Sequence, residues 1–161
     1  MLFARGRSQN DEPQQPRTLT LEHYAETVER ILHSIGVDIG QARLNDVEQG
    51  FGWSFRRGSA IIEIYISEQE GRGYMQVLAP ILHVPATGLL PMYRRLLELN
   101  LQLTNASLGI YFDVVYVFNE RPLQGLDGQE ANNIITLVAG YADDLDNQLL
   151  DEFGGRLYSQ A

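Results

Sequence analysis

Residues 108–155 constrain the fold of this chain more than any other part of it. Apolar residues alternate up to Pro122 and predict strands. Asp127 to Glu130 then resembles a capping box, in which Asp stands in place of the usual Ser or Thr. An apolar stripe at helical spacing follows for about 26 residues, and Gly154-Gly155 ends it. At about 1.5 Å per residue this helix is about 40 Å long. The stretch therefore predicts a sheet covered by one long helix.

The chain has 161 residues, enough for one well-packed domain. Residues 1–18 are polar and contain two prolines, so they are expected to form a mobile N-terminal tail. The sequence predicts a single α+β domain over residues 19–156 and a short C-terminal tail over residues 157–161. Residues 37–50 show only a weak pattern.

The residue pattern in the first part of the domain predicts a helix followed by an antiparallel β-meander. Thr20 has the side chain of a helix N-cap, and Gly36 supplies a stop for the helix that follows it. Three strands with short turns come next, over residues 51–55, 60–67 and 74–84. Pro80 indicates a bulge or a sheet edge in the third of them.

A second helix begins at Thr87 and is apolar around much of its circumference. Leu90, Tyr93, Leu97 and Leu101 share one face. Such a helix is buried on more than one side, either by the sheet of its own chain or by a second subunit, and the pattern leaves both open. Residues 105–123 return to strand character and predict two strands with a tight reversal near Asp113.

The predicted fold class is therefore α+β. An antiparallel sheet of about five strands is packed by three helices, in the order α-β-β-β-α-β-β-α.

The composition excludes several kinds of chemistry. Cysteine and lysine are absent, which removes disulfides, thiol nucleophiles, sulfur metal sites and Schiff-base lysines. The three histidines, His23, His33 and His83, are not spaced to share a metal ion. We therefore expect no catalytic residue, no metal and no cofactor. The net charge of −9 argues against nucleic acid and anionic membranes as partners.

The acidic residues of the last helix have two interpretations. They form a solvated face that keeps the protein soluble, or they form a docking surface for a basic segment. No apolar run is long enough to span a bilayer or to serve as a secretory signal, so the expected location is the cytoplasm.

The order of elements resembles the YbjN-like bacterial proteins, whose fold is similar to that of type III secretion chaperones. The residues that carry the resemblance are Leu96-Leu97-Glu98-Leu99-Asn100, the strands from Ser107, and Glu120-Arg121-Pro122-Leu123 with Leu126-Asp127. The ending Phe153-Gly154-Gly155 is most similar to the cyanobacterial branch. The resemblance implies a domain, often dimeric, that binds protein segments and carries no catalytic residues.

The sequence thus predicts a non-enzymatic, chaperone-like protein-interaction module that forms a homodimer and binds an unknown protein partner. Binding would use an exposed sheet edge, or an apolar groove between the sheet and the second and third helices. Candidate contact residues are Tyr65, Tyr74, Tyr93, Arg94 and Tyr116, although core packing explains the tyrosines about as well.

The alternative is a small-molecule-binding regulatory or enzymatic domain with a pocket under the long helix. A closed pocket lined by Arg94, Arg95 or Arg121 would favour that alternative. A continuous apolar groove open to solvent would favour peptide binding.

Overall fold

The computed structural model describes residues 20–160, and the predicted tail over residues 1–18 lies outside them. The helices are α1 (Leu21–Ser34), α2 (Ile39–Ala42), α3 (Leu89–Asn100) and α4 (Gly128–Phe153). The strands are β1 (Arg43–Leu44), β2 (Gly50–Arg57), β3 (Ala60–Gln69), β4 (Arg72–His83), β5 (Ser107–Tyr111), β6 (Val114–Pro122) and β7 (Arg156–Leu157). A 3₁₀ turn, Tyr158–Gln160, follows β7.

The predicted α+β class and the order of the main elements are confirmed. The short elements α2, β1 and β7 are additional to that prediction. The expected domain boundary at residue 156 falls inside β7, where Leu157 is buried and pairs with Leu82. Leu157, the first residue of the predicted C-terminal tail, thus belongs to the sheet.

The strands form one antiparallel sheet in the order β1-β2-β3-β4-β6-β5, with β7 paired to β4. The pairing of β3 with β4 ends at Leu78, and the pairing of β7 with β4 begins at Leu82. Pro80 lies between these two points, and the β4–β6 register shifts between Pro80 and Leu82. The predicted bulge is therefore present, in an interior strand that lacks a neighbour on one side at that point.

The core lies between one face of the sheet and the helices. Ile62, Ile64 and Ile66 of β3 are fully buried at period two, as a strand with one covered face requires. The long helix α4 packs across β2, β3, β4 and β6, and α1 packs beside it on β2 and β3. The helix α3 lies against β5, and Arg95 of α3 forms an ion pair with Glu152 of α4. All three long helices thus cover the same face of the sheet.

Side-chain caps fix where α1 and α4 begin. Thr20 Oγ1 accepts a hydrogen bond from the His23 amide at 3.3 Å, as its N-cap position predicts. Asp127 Oδ1 accepts from the Glu130 amide at 2.8 Å. The Glu130 carboxylate pairs with Arg121 at 2.8 Å instead of turning back to the cap. The predicted capping box is therefore half formed, and its second member joins α4 to β6.

The reversal predicted near Asp113 is confirmed. Phe112 and Asp113 have φ of 46° and 60°, and Tyr111 pairs with Val114. Two central residues with positive φ make the tight hairpin turn that suits twisted strands. The hairpin sets β5 at the edge of the sheet, beside α3.

Candidate functional site

The face of the sheet opposite α1, α3 and α4 contains an open apolar groove of about 390 Å³. Leu78 of β4 and Tyr116 and Phe118 of β6 supply the large side chains. The edge strand β5 supplies Ser107, Gly109, Ile110 and Tyr111. We call these seven residues the sheet groove. The interpretation from sequence placed a groove between the sheet and the helices, but buried side chains fill that space.

Strand pairing explains why a groove forms at this place. Gly109 is paired with Tyr116, and Ser107 is paired with Phe118. A Cβ added at Gly109 would meet no atom within 4 Å. The small residues of the edge strand therefore lie beside two aromatic rings. Because the rings project further from the sheet than the small residues do, a recess forms between them.

Exposed aromatic residues stand at the hairpin end of the sheet groove. Tyr111 is 66% exposed and Phe112 is 82% exposed. Their rings meet edge to face at 4.4 Å between centroids. Large rings left in solvent beside an apolar recess are typical of an interaction surface.

Two carboxylates lie on the same face of the sheet as the groove. Glu63 is paired with Leu78, and Glu120 follows Phe118 by two residues along β6. The Tyr65 hydroxyl donates to Glu63 at 2.9 Å, and the Gln76 amide donates to Glu120 at 2.6 Å. None of the ion pairs within residues 20–160 includes Glu63 or Glu120.

Burial and neighbouring groups raise the pKa of two tyrosine hydroxyls. Burial, with the hydrogen bond to Glu63 next, raises the pKa of Tyr65 to about 12. Burial also raises the pKa of Tyr116, and Tyr158 of the 3₁₀ turn adds to that rise. Both tyrosines therefore stay neutral near pH 7, and the hydroxyl of Tyr65 remains the donor to Glu63.

A second apolar surface lies on α3. Leu90, Leu97 and Leu101 are 80%, 69% and 90% exposed, and Tyr93 is 38% exposed. We call these four residues the α3 stripe. The opposite side of the helix, with Met92, Leu96 and Leu99, is buried against the domain. The face that the sequence singled out is thus the one that residues 20–160 leave uncovered.

The structure divides the five predicted contact residues between two surfaces. Tyr65, Tyr74 and Tyr116 share the open face of the sheet, and Tyr116 alone of them lines the sheet groove. Tyr93 and Arg94 lie on α3, on the helix side. Leu78, Gly109 and Phe118 were not predicted. The alternation of β6 could have indicated Phe118, because it has the same parity as Tyr116.

Similarity to a known protein family identifies the family of this chain. A model of the family TY-Chap1, "T3SS (YopN, CesT) and YbjN peptide-binding chaperone 1", matches residues 22–161. The chain belongs to the TY-Chap1 family. No curated protein sequence matches it.

Solved structures support the same fold for this TY-Chap1 protein. One similar chain comes from the HopA1–SchA chaperone–effector complex, with a TM-score of 0.56 and 9% sequence identity. The match covers 82% of this chain and 99% of that one. At this identity the likeness concerns the fold, and it confirms the expected similarity to type III secretion chaperones.

The arginines that would favour a small-molecule pocket are bound to carboxylates in this TY-Chap1 protein. Arg94 pairs with Glu98, Arg95 with Glu152 and Arg121 with Glu130. None of the three lines the sheet groove, which is apolar and open to solvent. The geometry corresponds to the outcome expected for peptide binding.

A polar cluster joins α4 to the β2–β3 turn of the TY-Chap1 domain. The amide and hydroxyl of Ser59 donate to Asp143 at 3.0 and 3.3 Å, and Asn147 Nδ2 donates to Ser59 at 3.0 Å. Asp146 is 1% exposed, accepts from Asn147, and has its pKa raised by burial. Within residues 20–160, no group of His, Cys, Asp and Glu is arranged to hold a metal ion. The cluster thus has a structural task, to attach the turn to the helix.

Across the described part of the chain, no helix combines the length and the apolar character that a membrane span needs.

Proposed function

We propose that this protein is a non-enzymatic, chaperone-like module that binds an exposed segment of another protein in the sheet groove. One observation carries the proposal: an apolar recess of about 390 Å³ lies open on the sheet face opposite α1, α3 and α4. Antiparallel sheets commonly face water on one side, but that side is then mostly polar. Here Leu78, Tyr116 and Phe118 are only half-buried on it.

The groove has the shape and the chemistry that suit an extended chain. Its floor crosses β4, β6 and β5, and among the strands of residues 20–160 none lies on the outer side of β5. Alternate side chains of an extended segment point the same way, so they can enter the recess while the backbone stays near the polar groups of β5. The peptide-binding description of the family and the fold shared with a chaperone–effector complex support this assignment.

We also propose that the protein is a homodimer, joined through the α3 stripe. The exposed leucines and Tyr93 offer an apolar area on the order of 500 Å², near the upper end of what a monomer leaves in one patch. This is more than half of the roughly 800 Å² per partner that a stable interface buries. The stripe lies on the helix side, so a second copy there would leave the sheet groove open.

Substitution in the groove tests peptide binding. Phe118→Ser removes a half-buried ring from the open face without opening the core. We expect it to weaken binding of a fluorescent peptide, about nine residues long with leucine at alternate positions, by roughly tenfold or more in fluorescence anisotropy. Tyr74→Ser is the matched control, because Tyr74 lies on the same face outside the groove. Equal loss in the two variants, or no loss in either, would count against the groove.

Two further expectations belong to the same proposal. A cytoplasmic location is expected from the sequence, and finding the protein mainly in an exported fraction would contradict that expectation.

Membership of the cyanobacterial branch is supported by the Phe153-Gly154-Gly155 ending. Gly155 has φ of 98°, and a Cβ there would overlap the carbonyl oxygen of His83, so the fold itself requires glycine at this position.

A further inference from the structure

We infer that the segment held by the sheet groove is basic as well as apolar, with two arginine or lysine side chains placed against Glu63 and Glu120. The inference rests on the proposed function and specifies the chemistry of the partner. It follows from where the charges of the open face lie relative to the recess.

Glu63 borders the groove on the β3 side. It is the direct cross-strand neighbour of Leu78, so its Cβ lies roughly 5 Å from that of a groove residue. The hydroxyl of Tyr65 holds one of its oxygens at 2.9 Å. A single neutral donor leaves acceptor capacity on the carboxylate, since each carboxylate has about four lone-pair positions.

Glu120 borders the groove on the β6 side. It lies one same-face position beyond Phe118 and is exposed to solvent. Gln76 donates to it at 2.6 Å, again as a neutral partner. Sheet spacings of about 4.8 Å between strands and 3.4 Å per residue place the Cβ atoms of Glu63 and Glu120 roughly 12 Å apart. At that separation each carboxylate can pair with a cation of its own, and we assign one to each.

Cations of the protein itself do not neutralise these carboxylates within residues 20–160. Arg56, Arg72 and Arg156 have the parity of the open face by strand register, and none of the three forms an ion pair with Glu63 or Glu120. The guanidinium of Arg56 is directed to the backbone oxygen of Ser159. An apolar recess with two carboxylates paired only to neutral donors favours a ligand that brings its own positive charge.

Three peptides that differ only in charge test the inference. Each is about nine residues long with leucine at alternate positions, and carries two arginines, two glutamines or two glutamates at the same flanking positions. We expect the arginine peptide to bind most tightly and the glutamate peptide least tightly, in fluorescence anisotropy at low salt. The double variant Glu63→Gln/Glu120→Gln should weaken the arginine peptide by about 4- to 25-fold, two- to fivefold per exposed ion pair. Binding of the glutamine peptide should stay unchanged, because the groove is intact.

The control separates a local effect from the net charge of −9. Glu22→Gln/Glu26→Gln removes the same charge from exposed positions of α1, on the helix side of the sheet. If this control weakens the arginine peptide as much as the groove variant does, the inference is wrong.

The remaining outcomes distinguish this inference from the proposed function. Equal affinity for the arginine and glutamine peptides would overturn the charge preference and leave the groove proposal standing. Binding of none of the three peptides would overturn both. The second result is expected if a second copy, or residues 1–19 of the same chain, occupies the groove.

Discussion

The exposed α3 stripe predicts that a single charged residue should abolish dimerisation without unfolding the domain. Leu97 lies in the middle of the stripe and is 69% exposed, so a dimer would bury most of its side chain. Full burial of a leucine contributes about 1.5–3 kcal/mol, which gives about 1–2 kcal/mol for the part of Leu97 still exposed. A two-fold interface contains the residue twice. Leu97→Glu should therefore cost about 2–4 kcal/mol, or about a 30- to 1,000-fold weaker dimer.

Sedimentation velocity over a series from nanomolar to high micromolar concentration measures this change. Two carboxylates brought into the interface would add a desolvation cost, so the range is a lower bound. Asn133→Glu is the control, because it adds the same charge at an exposed position of α4. The thermal midpoint of the Leu97→Glu monomer should stay near that of the wild type. A wild-type protein that sediments as a monomer at every concentration would refute the reasoning.

Two stability predictions follow from buried positions. Burial favours the neutral carboxyl of Asp146 and so raises its pKa in the folded state. The stability that the neutral carboxyl contributes is full below the unfolded pKa and is lost as pH rises through the folded pKa. In urea unfolding, the stability of Asp146→Asn relative to the wild type should increase as pH rises above about 4, the ordinary pKa of an unfolded Asp, and parallel curves would contradict this. Gly155→Ala should lower the free energy of unfolding by about 2 kcal/mol or more, and by more than Gly154→Ala does, because only a Cβ at residue 155 overlaps His83. Equal losses in the two variants would contradict the overlap.

The periodic parts of the sequence predicted the fold because burial enforces their period. In β3 the three isoleucines at alternate positions are all fully buried, and in α4 the stripe from Ile134 to Leu149 faces the sheet. Thr20 and Asp127 predicted helix starts for a similar reason, since unpaired amides at a helix end require an acceptor. These signals are local, so one sequence is enough to find them.

The short elements could not be predicted, because their stability comes from tertiary pairing. The strands β1 and β7 have two residues each; β1 depends on its pairing with β2, and β7 on its pairing with β4, which is distant in the sequence. Leu157 looks like the start of a tail until Leu82 is placed beside it.

The candidate surfaces show what periodicity leaves open. The apolar residues of α3 surround most of the helix, and periodicity alone does not decide that Met92 faces the domain while Leu90 faces solvent. The groove depends on the pairing of Gly109 with Tyr116, a register set by the turn at Phe112 and Asp113. Tyr116 could be selected from sequence, but the glycine opposite it could not.

The central strand β4 has a consequence for how the domain folds. Its pairing with β3 closes a short turn, whereas its pairing with β6 joins Tyr74 to Pro122 and its pairing with β7 joins Leu82 to Leu157. Two local hairpins, β3–β4 and β5–β6, can form early, and the seam between them must wait for the intervening α3 to be placed. Loop-closure entropy has to be overcome before such distant contacts stabilise the chain. The slow step of folding is therefore expected at the β4–β6 seam, after the two hairpins have formed.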